Sequence, residues 1–274
     1  MALLKRFALR VVRDDLLGWS AQLSFYLFLT LFPSLISFVA LASFLPVEHL
    51  TELVLAMLTR IAPPDVLAVV TGQLGMIAER RSAGLLTFGI IGTVLTASAG
   101  MQTLIQTLNF AYHVPETRAW WRVRLHAMAL TLVMAIFAIV SLTMILVGPV
   151  VGERAAGVLH LSAVFTQTWR IVHWPLILSL AIGGLSFVYH VGPDAASQRW
   201  PGTIPGACFA TVVWVMASLG LRWYVTSLAN YQKIYGTIGA ALVILLWFYV
   251  SGLAMLAGAE LNSVFNEDVR PPKY

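Results

Sequence analysis

The segment GAELNSVF, at positions 258–265, places a carboxylate, an amide and a hydroxyl at the end of the most apolar stretch of this chain. From Gly236 to Gly258 there is no charged residue, and then comes Glu260. Charge in or just under a bilayer is expensive, so by default such a residue is functional, able to hold a proton, a cation or a cationic headgroup. It also closes a helix, where the macrodipole disfavours negative charge. A cation should offset it, and Arg6, Arg10, Arg13 and Arg124 are the candidates on the same side. Two readings stay open: Glu260 pins the last helix to the N-terminal arm, or it faces a cavity.

The other polar residues within apolar runs are Gln22, Ser24, Gln102, Gln106, Asn109, His126, His190 and Asn262. Gln102, Gln106 and Asn109 are spaced to share one helical face. With the topology derived below, all of them fall in one half of the membrane. They either line a cavity open to the cytoplasm or bridge helices by hydrogen bonds worth about 0.6 kcal/mol each.

Recognisable catalytic sets are missing. H-E-x-x-H, G-x-S-x-G and the G-x-x-x-x-G-K-[ST] phosphate loop do not occur. The histidines at 49, 113, 126, 160, 173 and 190 show no metal-ligand spacing. Adjacent carboxylates occur only at Asp14-Asp15 and Glu267-Asp268, both in charged edge segments. The expectation is a protein without catalytic residues, metal or cofactor.

Composition sets the solvent. The 274 residues are 59% hydrophobic and 11% charged, with mean hydropathy +0.84. A soluble domain carries roughly 25% charged residues, so this is an integral membrane protein. The net charge of +5 does not imply nucleic acid, because the seventeen Lys and Arg are spread along the edges of apolar runs. Cys208 stands alone, which excludes an internal disulfide framework.

A helix crossing ~30 Å of hydrocarbon needs about 20 apolar residues. Six stretches qualify: 19–45, 83–111, 125–147, 171–191, 204–228 and 236–262. The fold class is therefore all-α, a polytopic bundle of six transmembrane helices over 19–262. The first apolar run is 27 residues, too long for a signal-peptide core of about 7–15, so the N-terminal segment should be retained. Ten Lys and Arg fall on the side of the termini and seven on the other, which places both termini in the cytoplasm.

Residues 1–18 read as an amphipathic interfacial arm, with Leu4, Ala8, Val11 and Val12 opposite Arg6, Arg10 and Arg13. Residues 263–274 form a tail. Between the first two spans, Leu50, Leu53, Val54, Met57, Leu58 and Ile61 have helical spacing. Pro63-Pro64-Asp65 breaks it, and Val66, Val70, Leu74 and Ile77 resume it. The expectation over 46–82 is an amphipathic helical pair outside the cytoplasm. Gly92, Thr96 and Gly100, and Ala254 and Gly258, repeat at intervals of four and mark packing faces. Pro33 should kink the first span.

AQLSFYLFLTLFPSL (21–35), GPDAASQRWPGTIPGA (192–207), NYQKIYGTIGA (230–240) and LLWFYVSGLAMLAGAELN (245–262) together resemble the YihY/virulence factor BrkB family of bacterial inner-membrane proteins. The likeness covers nearly the whole chain. Its motif positions are held here by Tyr231, Tyr235 and Gly236, by Leu246, Trp247 and Tyr249, and by Gly258, Ala259 and Glu260. GPD at 192–194 departs from relatives, which tend to have Pro-Asn followed by basic residues. The resemblance implies a six-helix inner-membrane protein and assigns no catalytic residue. Members have been labelled ribonuclease BN, and others have been connected with serum resistance and envelope lipids. The reading that follows is an envelope transporter or lipid translocator, with membrane lipids, an amphiphilic substrate and a second copy of the chain as partners to expect. A structural or accessory protein, and a membrane-bound enzyme such as a ribonuclease, are the alternatives.

Overall fold

The computed structural model describes residues 2–44, 83–158, 163–194, 200–227 and 231–269. The pair expected over 46–82 lies outside them. Within them the chain forms helices α1 (Ala2–Arg13), α2 (Leu16–Phe44), α3 (Ala83–Ala111), α4 (Trp120–Val158) and α5 (Ala163–Val191). A short 3-10 turn (Trp200–Thr203) then leads into α6 (Ile204–Ser227), and α7 (Tyr231–Val269) closes the bundle.

Among the described residues, six segments are long and apolar enough to cross a membrane, one in each of α2–α5 and α7 and one over Trp200–Val225. With no water to satisfy a bare backbone in hydrocarbon, each apolar run closes its own hydrogen bonds as a helix. Helices α4 and α7, at 39 residues each, outrun the stretches expected at 125–147 and 236–262. At 1.5 Å per residue they are roughly 58 Å long, about twice the hydrocarbon thickness. A helix that satisfies its own backbone has no reason to stop at the membrane surface.

The outward faces are apolar, with Ile136, Ile139, Phe88, Val212 and Met216 exposed on the surface that meets lipid. Helix α2 lies against α3 and α7, α6 against α7, and α4 against α3 and α5. Small residues allow the α2–α3 contact: a Cβ on Gly92 would stand 3.0 Å from Pro33 Cβ, and one on Gly100 would stand 3.1 Å from Tyr26 Cβ. The small-residue spacing read from the sequence thus marks the face that meets the proline of the first span.

The buried core gathers at one end of the bundle. Leu16 and Leu23 of α2, Leu104, Ile105 and Leu108 of α3, Val123 and Ala127 of α4, Val188 and Tyr189 of α5, Ala207 and Ala210 of α6, and Leu256 and Ala259 of α7 form one cluster. All come from the halves of their helices nearer the two termini. Helix α1 joins this end through a tight link in which Asp15 takes φ 46 and its Oδ1 accepts the Gly18 amide at 3.2 Å, capping α2.

Candidate functional site

The packed end is held by backbone proximity. Helices α6 and α7 cross where Gly206 meets Gly258, and a Cβ on Gly206 would run into the Gly258 carbonyl oxygen and lie 2.5 Å from Asn262 Cγ. The first turn of α6 has amides with no partner inside its own helix. Asn262, fully buried on α7, supplies one: its Oδ1 accepts from Gly206 N at 2.6 Å. Its Nδ2 donates to Thr203 O at 3.0 Å and reaches Tyr112 Oη at 3.5 Å. The Thr203 hydroxyl meets Ser186 Oγ at 2.6 Å, and Tyr189 Oη donates to Met255 O. One amide thereby ties α7 to the start of α6 and the end of α3.

Two residues before Asn262 on the same helix, Glu260 has no solvent exposure. Of the four candidate cations, Arg10 faces it, with Nη1 3.5 Å from Oε1. The same Nη1 donates to Ser263 Oγ at 3.1 Å. At 3.5 Å the carboxylate contact is an ion pair without a formed hydrogen bond, and neither Glu260 oxygen has a hydrogen-bond partner. Arg124 is engaged elsewhere, donating to Gln102 Oε1 at 3.3 Å and to Leu95 O at 3.1 Å.

A second polar cluster closes the ends of α3 and α5. Helix α3 ends in a Schellman turn: His113 N donates to Phe110 O at 3.1 Å and Val114 N to Asn109 O at 3.0 Å, with His113 at φ 56. The turn aims Asn109 at both following loops. Its Nδ2 donates to Glu116 Oε2 at 2.9 Å and its Oδ1 accepts from Asp194 N at 2.8 Å. Arg118 grips Glu116 through Nε and Nη2, both at 2.7 Å, and also reaches Gly192 O at 3.2 Å. Asp194 Oδ2 takes the amide and hydroxyl of Thr117 at 2.8 and 2.5 Å.

These contacts act on charge. The Arg118 hydrogen bond holds the Glu116 carboxyl below its ordinary range, and the Thr117 hydroxyl and amide do the same for Asp194. A carboxyl whose folded pKa is depressed stabilises the fold above its unfolded pKa, and that contribution is lost as pH falls through the folded value. Asp194→Asn should therefore lower the melting midpoint of the detergent-purified protein at pH 7. The difference from wild type should shrink as the pH falls below the ordinary carboxylate range and through the depressed folded pKa.

Beside this cluster lies a cleft of about 380 Å³, lined by Trp19, Gln106, Asn109, Phe110, Val114, Pro115 and Glu116. The Trp19 and Phe110 rings stand 5.6 Å apart. Its lining combines aromatic and aliphatic side chains with amides and a carboxylate, which is the chemistry that accommodates an amphiphile.

Of the nine side chains singled out from the sequence, Gln106 and Asn109 line this cleft. Gln102 meets Arg124, and His126 Nε2 lies 2.8 Å from Val191 O. Ser24 is buried and bonds its own helix at Ala21 O, while Gln22 is exposed. His190 stands against the Trp200 ring at 5.2 Å, with its Nδ1 buried and unpartnered. Glu260 and Asn262 hold the α7 junction. The set therefore divides between helix-bridging bonds, one cleft and one buried ion pair. Sequence reasoning missed Trp19, Phe110, Glu116, Arg118 and Asp194, although the adjacent opposite charges of 116–118 and the unusual GPD were visible.

Among the family motif positions, Gly258 makes the helix crossing. Trp247 Nε1 donates to Ser218 Oγ at 3.1 Å, and Trp214 Nε1 reciprocates to Ser251 Oγ at 3.0 Å, clasping α6 to α7 on their lipid-facing side. Tyr231, Tyr235 and Gly236 begin α7, and the surroundings of their side chains lie outside the described residues.

Six apolar spanning helices with a tightly bonded polar end define a multi-pass α-helical membrane protein. The sequence profile of the family described as "Virulence factor BrkB" matches residues 7–273, and the chain belongs to that family. It is 33% identical over 276 residues to the ribonuclease-like protein YfkH of Bacillus subtilis, covering 99% of this chain and 98% of that one. It is 28% identical to a UPF0761 membrane protein of Delftia acidovorans, over 92% of this chain and 59% of the relative. To another of Tolumonas auensis it is 25% identical, over 66% and 58%. The chain thus spans less than two thirds of those two longer relatives. No solved structure matches it.

Proposed function

We propose that this protein moves an amphiphile, such as a membrane lipid, across the bacterial inner membrane, loading it at the end of the bundle that carries the termini. The observation that carries this reading is the cleft of Trp19, Phe110, Val114 and Pro115 over Gln106, Asn109 and Glu116. Phe110 of its lining is exposed, so an acyl chain can lie against the helices while a polar group enters. The four basic residues of the first thirteen orient that end toward the cytoplasm. On this reading the protein is not an enzyme and does not bind nucleic acid.

The accessory-protein reading keeps one specific support: Asn109, Asn262, Gln102 and His126 all spend their polar atoms on other helices or loops. Reconstitution into liposomes separates the two. A transporter accelerates the exchange of a headgroup-labelled lipid between leaflets at least tenfold over empty liposomes, and Gln106→Trp, which fills the cleft, abolishes this while preserving a monodisperse, helical protein. Liposomes with and without protein exchanging lipid at the same rate would leave the accessory role. RNA degradation by the same preparation would favour the ribonuclease alternative.

A further inference from the structure

We infer that Glu260 and Ser263 form a binding site for the primary ammonium headgroup of a lipid, and that Arg10 occupies this site as an intramolecular stand-in. The inference rests on the amphiphile reading above and names the lipid class. Three observations carry it.

First, Glu260 is fully buried, yet neither carboxylate oxygen accepts a hydrogen bond. A carboxylate in a dry site normally has its lone pairs satisfied. Second, the contact between Arg10 and Glu260 is open: Nη1 lies 3.5 Å from Oε1, while it stands 3.1 Å from Ser263 Oγ. The same chain closes a two-point fork elsewhere, with Arg118 holding Glu116 at 2.7 Å through each of two nitrogens. The buried pair has the charges of such a fork without its geometry. Third, the stand-in sits on a helix joined to the bundle by a two-residue link, and α1 rests chiefly on α7 and α2, with an edge contact from Phe7 to Phe209.

The acceptor set selects the ligand. Glu260 Oε1, Glu260 Oε2 and Ser263 Oγ are three acceptors, and Arg10 Nη1 already stands within reach of two. A primary ammonium has three donors on one small atom, whereas a quaternary ammonium has none. Depth selects a lipid over a free amine. Glu260 lies five residues before the end of the spanning segment Gly239–Phe265, about 8 Å at 1.5 Å per residue, which is at the edge of the hydrocarbon and within reach of a lipid headgroup. Exposed Val12 and Phe265, two residues from Arg10 and Ser263, offer apolar surface to the chains.

The test uses the full chain and four probes: phosphatidylethanolamine, its N-acetylated form, phosphatidylcholine and free ethanolamine. Native mass spectrometry should show Arg10→Gln binding phosphatidylethanolamine at least tenfold more tightly than wild type, with the N-acetyl and choline lipids unchanged. Arg10→Gln/Glu260→Gln should lose that gain. An equal gain for the N-acetyl lipid, or a gain retained in the double variant, overturns the inference. Displacement by ethanolamine as effective as by the lipid overturns its lipid part.

If Arg10→Gln does not fold, the wild type still decides. Amide exchange in α1 should be faster in nanodiscs containing phosphatidylethanolamine than in nanodiscs containing the N-acetyl lipid, and equal rates refute the site. Headgroup-selective binding without lipid movement in liposomes would remove the transport reading and keep this site. Lipid movement with no headgroup selectivity would do the reverse.

Discussion

Arg10→Gln is expected to destabilise the detergent-purified protein by about 3–5 kcal/mol, because it leaves a buried carboxylate without its cation. Glu260 has no exposed surface and the Arg10 side chain keeps only 12% of its own. Little water is available to solvate the orphaned charge. The loss comes from the unpaired partner more than from the strength of the pair, which is loose at 3.5 Å. Arg10→Gln/Glu260→Gln, with no charge left to bury, should therefore recover most of the stability. Arg10→Lys, which keeps a cation at the same place, should fall between wild type and Arg10→Gln. Unfolding of the four proteins in a graded denaturing detergent, followed by helical circular dichroism, reads these differences directly. A double variant as unstable as Arg10→Gln would show that Arg10 acts through its packing and its bond to Ser263, and not through Glu260.

Gly206→Ala is expected to have an effect of comparable size. A methyl group there has nowhere to go, since the Gly258 carbonyl, itself backbone, occupies its place and the Asn262 amide lies alongside. Helices α6 and α7 would have to separate, stretching the bonds from Asn262 to Gly206 N and Thr203 O. Overpacking costs about 1–3 kcal/mol and an unsatisfied buried polar group about 1–3 more, so a loss of roughly 2–6 kcal/mol follows. Gly183→Ala and Gly220→Ala are the controls, because nothing lies within 4 Å of the added Cβ at either position. Alanine is the better helix former by up to about 1 kcal/mol, so those variants should be neutral or slightly more stable. If Gly206→Ala melts with the controls, the crossing is looser than its geometry implies.

The ion pair and the crossing are two parts of one arrangement. Glycines bring α6 and α7 together at Gly206 and Gly258, and Asn262 caps the start of α6. The same turn of α7 carries Glu260 and Ser263 toward α1. A short stretch of one helix thus fixes the packed end of the bundle and also presents its buried charge.

Much of this was legible in the amino-acid order. The six spans, the all-helical class and the small-residue packing face of α3 all follow from local properties. In hydrocarbon a run of about 20 apolar residues must close its own backbone bonds, and small residues must stand where helices touch. The need for a cation near Glu260 was equally legible, because a buried charge at a helix C-terminus is costly wherever the helix lies. Tertiary structure alone chose Arg10 over Arg124, since both stand on the same side and only the path of α1 brings one of them to the carboxylate. It also decided that Asn262 caps a helix 56 residues away and that Asn109 joins Glu116 to Asp194. Likewise only the fold showed that, among the described residues, the buried cluster gathers in the polar half of the membrane span. Hydrogen bonds and glycine contacts form or fail within a few tenths of an ångström, and such distances are set by how whole helices lie against each other. The apolar length of a segment belongs to that segment, whereas the partner of a polar atom belongs to the assembled bundle.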